Sequence, residues 1–475
     1  MKLSSKTYAV AAGHAKTAEA AENILQQGGN AFDAILAAMM MSFVAEPLLS
    51  SPGGGGFLLA AGQNQSPKLL DFFSDTPDIN GAEIKPDQVD FYPIMGDFGT
   101  RSQEFHIGHA AAAVPGVPAG IFKTHEKLCT LPLKQIAQPA IHAAINGIEV
   151  NHQQAFVAMI LQPIIGSSKE SKTLYSGMNS GAVWKNKQLA AFLDSLSNAN
   201  HDWFYQGEIA QALCQQGDSL FSLKDFKNYQ CVVRKPLQLS INQHQVFTNP
   251  KPSTGGHLIV EQLKRLKSRT DLYAVLEAMQ HADDLKRNPM AEVSRGTTHI
   301  SVADGKGNIA SLTLSNGEGN GQIASGHGFM LNNFLGEEDI NSQGFFNWQG
   351  RQRMRSMMSP TLILNAEHQY ALGTGGSNRI KSALFQVINH IIHGEKVLKH
   401  AIEAPRIHYE NGHLDIEPGF SQKDMDMLTK QCPIHSLWHN HNLYFGGVNA
   451  VQTGRTSAAI GDFRRHGCGV VGIQK

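Results

Sequence analysis

The stretch from Thr297 to Ser315 constrains the fold more than any other part of the chain. Thr298-His299-Ile300-Ser301-Val302 alternates, Asp304-Gly305-Lys306-Gly307-Asn308 has the composition of a turn, and Ile309 to Ser315 alternates again. Successive side chains on a strand point to opposite faces, so two alternating runs across a glycine turn predict an antiparallel hairpin. Other strands are expected around it. Phe57-Leu58-Leu59-Ala60 follows the turn Ser51-Pro52-Gly53-Gly54-Gly55-Gly56 and reads as a buried strand. Gly328 to Leu331 and Thr361 to Leu364 read as further strands, and glycine-punctuated strands recur at the C-terminus.

Helices flank this strand-rich centre. Thr17 can cap one that runs to about Gln27, with Gly28-Gly29 as its stop, and Asp33 starts a second through an alanine- and methionine-rich run. That run, Ala34 to Ala45, is shorter than the about 20 residues a bilayer span needs, so it predicts a buried helix. The middle, about 121 to 245, reads mostly as amphipathic helix. Pro252 to Gly256 opens a helix from His257 to Lys267, and Ser377 to Ile392 predicts a long one. Helices on both sides of packed strands imply layers of helix over sheet.

At 475 residues the prior is roughly three domains. No repeat and no low-complexity linker breaks the chain, which points instead to one integrated unit. Charged residues are 17% and hydrophobic residues 41%, the opposite of a disordered composition. Forty basic residues balance forty acidic ones, so there is no global pull on nucleic acid or anionic lipid, and neither is expected as a partner. The five cysteines form no CxxC and imply no disulfide framework. Met1 to Tyr8 is polar, with no apolar signal core after it, so the expected location is the cytoplasm.

Three chemistries can be set aside. His435, His439 and His441 cluster, but without a cysteine or carboxylate at ligand spacing, so no metal is expected. Gly317-Glu318-Gly319-Asn320-Gly321 lacks the Lys-Ser/Thr of a phosphate loop and reads as a tight loop. GxSxG is absent. No cofactor is implied.

Gly296-Thr297-Thr298-His299-Ile300-Ser301-Val302-Ala303-Asp304 resembles the GTTHxSVxD that opens the small subunit of γ-glutamyltransferases (glutathione hydrolases), a family of N-terminal-nucleophile hydrolases. Further motifs follow in family order from about residue 9 to 472. Gly28 to Ala34 resembles GGNAxDA, Gly53 to Phe57 resembles GGGGF, and Pro115 to Gly120 is similar to PGxxAG. Pro252 to Gly256 resembles PSSGG, while Leu331-Asn332-Asn333 and Ser359-Pro360-Thr361 match LNN and SPT. Gly375-Gly376-Ser377 with Arg379-Ile380 resembles GGSxRI, Ala404-Pro405-Arg406 matches APR, and Asp462 with Arg464-Arg465 resembles the closing D-RR.

The resemblance implies an α+β fold, an αββα four-layer sandwich of two antiparallel sheets flanked by helices. It implies one unit, 1–475, made of a large-subunit-like segment 1–296 and a small-subunit-like segment 297–475 that stay together after self-cleavage. The cut falls between Gly296 and Thr297. The chemistry suits those residues. A threonine hydroxyl is a weak nucleophile, and cleavage gives Thr297 a free α-amine, which titrates near a pKa of about 8 and can take the hydroxyl proton. Gly296 has no side chain to block attack on its carbonyl. By resemblance, the N–H groups of Gly375 and Gly376 hold the developing oxyanion, and Ser315 supplies a hydroxyl that bonds the nucleophile. His299 and Asp304 read as structural.

The substrate side departs from the family. Where an arginine grips the α-carboxylate, this chain reads Asp71-Phe72-Phe73-Ser74-Asp75-Thr76-Pro77, leaving Arg101 as a distant candidate. The serine pair before MSP becomes Ser356-Met357, the asparagine beyond Ser315 becomes Gly317 with Asn316 adjacent, the polar residue after LNN becomes Phe334, and the aspartate position falls near Glu337. Asn316, Glu337 and Ser356 are therefore the expected substrate contacts. The insertion before the nucleophile is short. The leading expectation is a γ-glutamyltransferase-like hydrolase acting on a γ-glutamyl amide such as glutathione. The rivals are an amidohydrolase or acylase on a non-glutamyl amide, and an uncut, catalytically silent homologue.

Overall fold

The computed structural model describes residues 6–97, 102–266, 269–285, 296–338, 340–341, 343–394 and 397–474. The hairpin forms as its pattern predicts, Thr297–Ala303 against Ile309–Ser315, with Thr297 opposite Ser315. It lies at the centre of a seven-stranded sheet ordered Cys468–Ile473, Thr7–Ala12, Thr297–Ala303, Ile309–Ser315, Gly55–Ala61, Lys68–Phe72, Val232–Arg234. A six-stranded sheet packs on it, ordered Ala458–Ile460, Asn449–Gly454, His368–Gly373, Thr361–Leu364, His244–Thr248, Leu237–Ile241. Every pairing within both sheets is antiparallel.

Strand parity assigns the layers. Ile300, Val302, Ala310, Leu312 and Leu314 point outward into an apolar core shared with helices Ala15–Gln26, Ala31–Ala45 and Leu133–Asn146. Ala9, Ala11, Phe57 and Leu59 point the other way and join Leu362, Ala371 and Val451 of the second sheet. Helices Gly255–Leu266, Leu272–Asp284 and Arg379–His393 complete that core. The result is the expected αββα sandwich.

The inward faces of the two central strands are not apolar. Thr297, His299, Ser301, Ser311, Thr313 and Ser315 are all buried there. Buried polar groups need partners, and these bond across the gap. Ser301 Oγ donates to the Asn449 carbonyl at 3.2 Å, Ser311 Oγ to the Leu372 carbonyl at 3.0 Å, and Asn449 Nδ2 to the His299 carbonyl at 2.9 Å. The His299 ring sits between Thr313 Oγ1 at 2.8 Å and Ser301 Oγ at 2.9 Å. Burial pushes His299 down to about 3, which keeps the ring neutral. The stripe therefore fixes one sheet against the other by directional bonds, close to Thr297.

Several local expectations change. The first helix starts at Ala15, capped by His14, whose Nδ1 accepts from Lys16 N; Thr17 is an interior residue. The second starts at Ala31 because Asn30 caps it and Asp33 closes the capping box. Within the stretch expected to be mostly helical, Val232–Arg234, Leu237–Ile241 and His244–Thr248 are strands. Leu237-Gln238-Leu239-Ser240-Ile241 has period two, and Asn242, at a φ of 43°, takes the left-handed turn after it. Gly328 to Leu331 forms only single bridges, at Met330 and Leu331. Among the described residues no helix is long and apolar enough to cross a membrane; Ala31–Ala45 is instead buried throughout.

Asp33 also holds the entry to Leu133–Asn146. Its carboxylate accepts from Thr130 N at 2.8 Å, Leu131 N at 3.1 Å, Thr130 Oγ1 at 2.7 Å and Asn30 N at 2.8 Å. Asp33→Ala strands these donors and is expected to lower the unfolding free energy by about 3 kcal/mol or more, read as a reduced urea midpoint. A midpoint equal to that of the wild type would contradict this account.

Candidate active site

Thr297 begins the central strand and is 4% exposed. Its Oγ1 donates to Ser315 Oγ at 3.2 Å, and Ser315 Oγ donates to the Gly296 carbonyl at 2.7 Å. Gly317 N donates to the same serine oxygen at 3.1 Å. One hydroxyl thus links Thr297 to the carbonyl that precedes it, accepting a hydrogen bond from the threonine while donating one to that carbonyl.

The backbone around this link is tightly packed. A Cβ on Gly296 would lie 1.5 Å from the Gly317 carbonyl oxygen, so only glycine fits before Thr297. A Cβ on Gly375 would lie 2.1 Å from the Thr297 carbonyl oxygen, and Gly376 has a φ of 123°, which favours glycine. Arg465 Nη1 donates to the Thr297 carbonyl at 3.3 Å. Behind the strand, Thr298 Oγ1 donates to Glu46 Oε1 at 2.7 Å and Thr17 Oγ1 to Glu46 Oε2 at 3.1 Å. Burial raises Glu46 to about 7, against the pull of these hydroxyls and Arg465. Burial also lowers Arg465 to about 10, with Arg379 adding to the effect.

Two cavities meet at Thr297. The smaller, about 330 Å³, is walled by Ser315, Ser356, Glu337 and Ser377 together with Phe73, Phe334, Ile340, Met357, Met358 and Ile380. The larger, about 900 Å³ and open to solvent, runs between Glu46, Leu48, Leu49, Val157, Leu161 and Leu443 to Gly296, Glu318 and Gly375.

Of the expected site residues, Gly296, Thr297, Ser315 and Gly375 come together, Gly376 follows in the same turn, and Ser356 and Glu337 share the small cavity. Asn316 reaches neither cavity: its Oδ1 accepts from Ser51 Oγ at 2.9 Å and its Nδ2 faces the Met330 and Leu331 carbonyls. Arg101 lies outside the described residues. Arg353 comes to Asp71 and Asp75, but it is engaged there, with Nη1 on Asp71 at 3.0 Å, Nε on Asp75 at 2.8 Å and its guanidinium 4.9 Å from the Tyr229 ring. Among the described residues no cation lines the small cavity.

Glu46, Glu318 and Arg465 complete the surroundings of Thr297 without having been expected to. Arg465 carried a signal in the closing D-RR and Glu318 in the glycine loop, whereas a lone Glu-Pro after an apolar run carried none. Of the histidine cluster, His441 Nδ1 faces Glu417 at 2.9 Å and His435 Nδ1 bonds the Cys432 carbonyl. Among the described residues no group of side chains has metal-site geometry.

A threonine at the start of a central strand, a hydroxyl relay and a glycine turn at its carbonyl, all inside an αββα sandwich, define the N-terminal-nucleophile hydrolase class. The model of the Gamma-glutamyltranspeptidase family matches residues 17–288 and 263–472. The chain belongs to the γ-glutamyltranspeptidase family. It is 26% identical to the Glutathione hydrolase proenzyme of Escherichia coli K12, over 88% of this chain and 84% of that protein. It is 27% identical to the Acylase ACY 1 proenzyme of Pseudomonas sp. SE83, over 93% and 89%. A cephalosporin acylase from Bacillus halodurans has the same fold, with a TM-score of 0.81 and 20% identity over 98% of this chain and 95% of that one.

Two outcomes follow from this geometry. Ser315→Ala removes the relay and is expected to slow the chemical step by about 10²- to 10³-fold in single-turnover kinetics, with melting temperature little changed. Glu46 gives a pH dependence of stability. The folded chain keeps its proton up to about pH 7, whereas the ordinary value is 4.5, so folding takes up a proton in that window and stability falls as pH rises through it. Glu46→Gln removes this contribution, so its melting temperature relative to wild type is expected to be higher at pH 8 than at pH 5.

Proposed function

We propose that this chain is an N-terminal-threonine amidohydrolase that cleaves, or transfers, γ-glutamyl amides of the glutathione kind. The observation that carries the reading is the relay from Thr297 Oγ1 through Ser315 Oγ to the Gly296 carbonyl. In the precursor, Thr297 Oγ1 attacks the Gly296 carbonyl carbon, the C–N bond breaks, and the amide nitrogen leaves with the hydroxyl proton. The Thr297 α-amine is now free, and water hydrolyses the ester, releasing the Gly296 carboxylate and restoring the Thr297 hydroxyl. In turnover the α-amine takes the Thr297 hydroxyl proton, Oγ1 attacks the substrate amide, and the Gly375 and Gly376 N–H groups face the oxyanion. The amine product departs with the proton, and water or a second amine resolves the acyl-enzyme.

The fragments 1–296 and 297–475 remain one body in this reading. Each large sheet draws strands from both of them, so separation would break pairings such as Ala11 with Ser301 and Phe247 with Leu362. The names of the Escherichia coli and Pseudomonas relatives, both proenzymes, support a processed hydrolase.

A second reading keeps the chemistry and changes the acyl group to a non-glutamyl one. It is favoured by Phe73, Phe334 and Met357 in the small cavity and by the engagement of Arg353 with Asp71 and Asp75. A free amino-acid head group needs paired charges when buried, and an apolar acyl group does not. Intact-mass analysis is expected to give two fragments that split at Gly296–Thr297, and Thr297→Ala one uncut chain without turnover. A cut, active Thr297→Ala protein would sink both readings. Turnover of glutathione well above that of apolar acyl amides selects the first reading; the reverse order selects the second.

A further inference from the structure

The glycine loop after the hairpin does more than turn the chain. Gly317, Gly319 and Gly321 take φ values of 60°, 88° and 79°, so the loop folds back over the start of the nucleophile strand. Its second residue, Glu318, is 1% exposed. The Glu318 N–H donates to Asn333 Oδ1 at 2.9 Å, which fixes its place in the loop. Its side-chain Oε1 accepts from the Gly296 N–H at 3.1 Å. Glu318, Gly296 and Thr297 wall the same large cavity.

We propose that Glu318 is a positioning residue for Thr297: it holds the Gly296 amide before the chain is cut and faces the freed α-amine as its counter-charge afterwards. The proposal rests on the reading that the chain is cut between Gly296 and Thr297. Backbone nitrogens of neighbouring residues lie within about 4 Å, which places Oε1 within about 7 Å of the Thr297 nitrogen. The cut makes Gly296 the C-terminus of the large fragment and creates a new ammonium group on Thr297, next along the chain from the amide that the carboxylate already holds. A carboxylate stabilises an ammonium and raises its pKa. The amine must be neutral to accept the hydroxyl proton, so Glu318 sets how high the pH must be before Thr297 is active.

The other charged and titratable groups around Thr297 have different anchors. Glu46 is held by Thr298 and Thr17, and Arg465 bonds the Thr297 carbonyl. Burial lowers His14, at the cap of the first helix, to about 4, and His299 is neutral for the same reason. Glu337 lies under Gly317 and walls the small cavity. Among the described residues, Glu318 alone is shown bonding the amide of the residue before the cut.

Two variants separate the two roles. Glu318→Gln keeps an acceptor for the Gly296 N–H and loses the charge. Glu318→Ala loses both. Glu318→Gln is expected to mature at close to the wild-type rate. Trace labelling of the Thr297 α-amine with acetic anhydride across pH, read by mass on the small fragment, then gives its titration without any substrate. The midpoint is expected to fall by about 0.5 to 1.5 pH units in Glu318→Gln, and the acid limb of kcat/KM to move down with it. Glu318→Ala is expected to mature at least about tenfold more slowly from a precursor whose melting temperature shows it to be folded. Coincident midpoints in wild type and Glu318→Gln overturn the counter-charge. Wild-type maturation of Glu318→Ala overturns the holding role. A wild-type chain that stays uncut overturns this proposal and the reading beneath it, whereas a cut wild type with unmoved midpoints overturns the role of Glu318 alone.

Discussion

The bond on which the site depends is the one from Ser315 Oγ to the Gly296 carbonyl. It exists only because residues 297 and 315 face each other across a hairpin whose register is fixed over seven pairs. A slip of one residue would turn Thr297 toward the helices and Thr298 toward the second sheet, since each step along a strand reverses the face. Apolar Ile300, Val302, Leu312 and Leu314 on one face resist that slip, because burying the polar stripe among helices would cost their hydrophobic contacts. Thr297 is thus aimed by residues well removed from it along the strands.

The polar stripe serves the same end by different physics. Apolar contact between two sheets is non-directional and tolerates small sliding. Bonds from Ser301 and Ser311 to single carbonyls on the second sheet do not. Gly375 follows directly from that sheet, and its Cα lies so close to the Thr297 carbonyl that a methyl group cannot be placed between them. Sliding of one sheet over the other would open this contact. Directional bonds between the sheets therefore keep the proposed oxyanion turn in place as well as holding the fold.

The parts legible in the sequence were those fixed by period and by glycine. The hairpin and the buried Ala34 to Ala45 helix follow from alternation and apolar runs, whereas the four layers follow from the family resemblance. Gly296 and Gly375 stand out because contacts below about 3 Å exclude any side chain, and such positions leave motifs behind. Less legible were groups whose role depends on distant segments. Glu46 meets Thr298 across 252 positions of sequence, and Arg353 meets Asp71 across 282; nothing local marks either. Asn316 was expected to face substrate because it stands beside Gly317, but the turn that follows directs its amide at Ser51 and the Met330 carbonyl. One residue of displacement along a tight loop changes direction completely.

The two halves of the site are built from different materials, and this bears on how they can change. In the proposed mechanism attack and cleavage rely on backbone geometry, two hydroxyls and closely packed glycines. The small cavity relies on side chains from separate elements, Phe73 at the end of one strand, Phe334 after Asn333 and Met357 before the strand Thr361–Leu364. None of these lies in the hairpin that carries Thr297. Arg353, which meets the strand end at Asp71, has its charge balanced by Asp71 and Asp75, which engages it away from a substrate carboxylate and steadies the strand end that carries Phe73. A site of this construction can keep the proposed nucleophile while the proposed acyl preference moves from charged toward apolar groups, because the first depends on close backbone contacts at Gly296 and Gly375 and the second on side chains from separate elements.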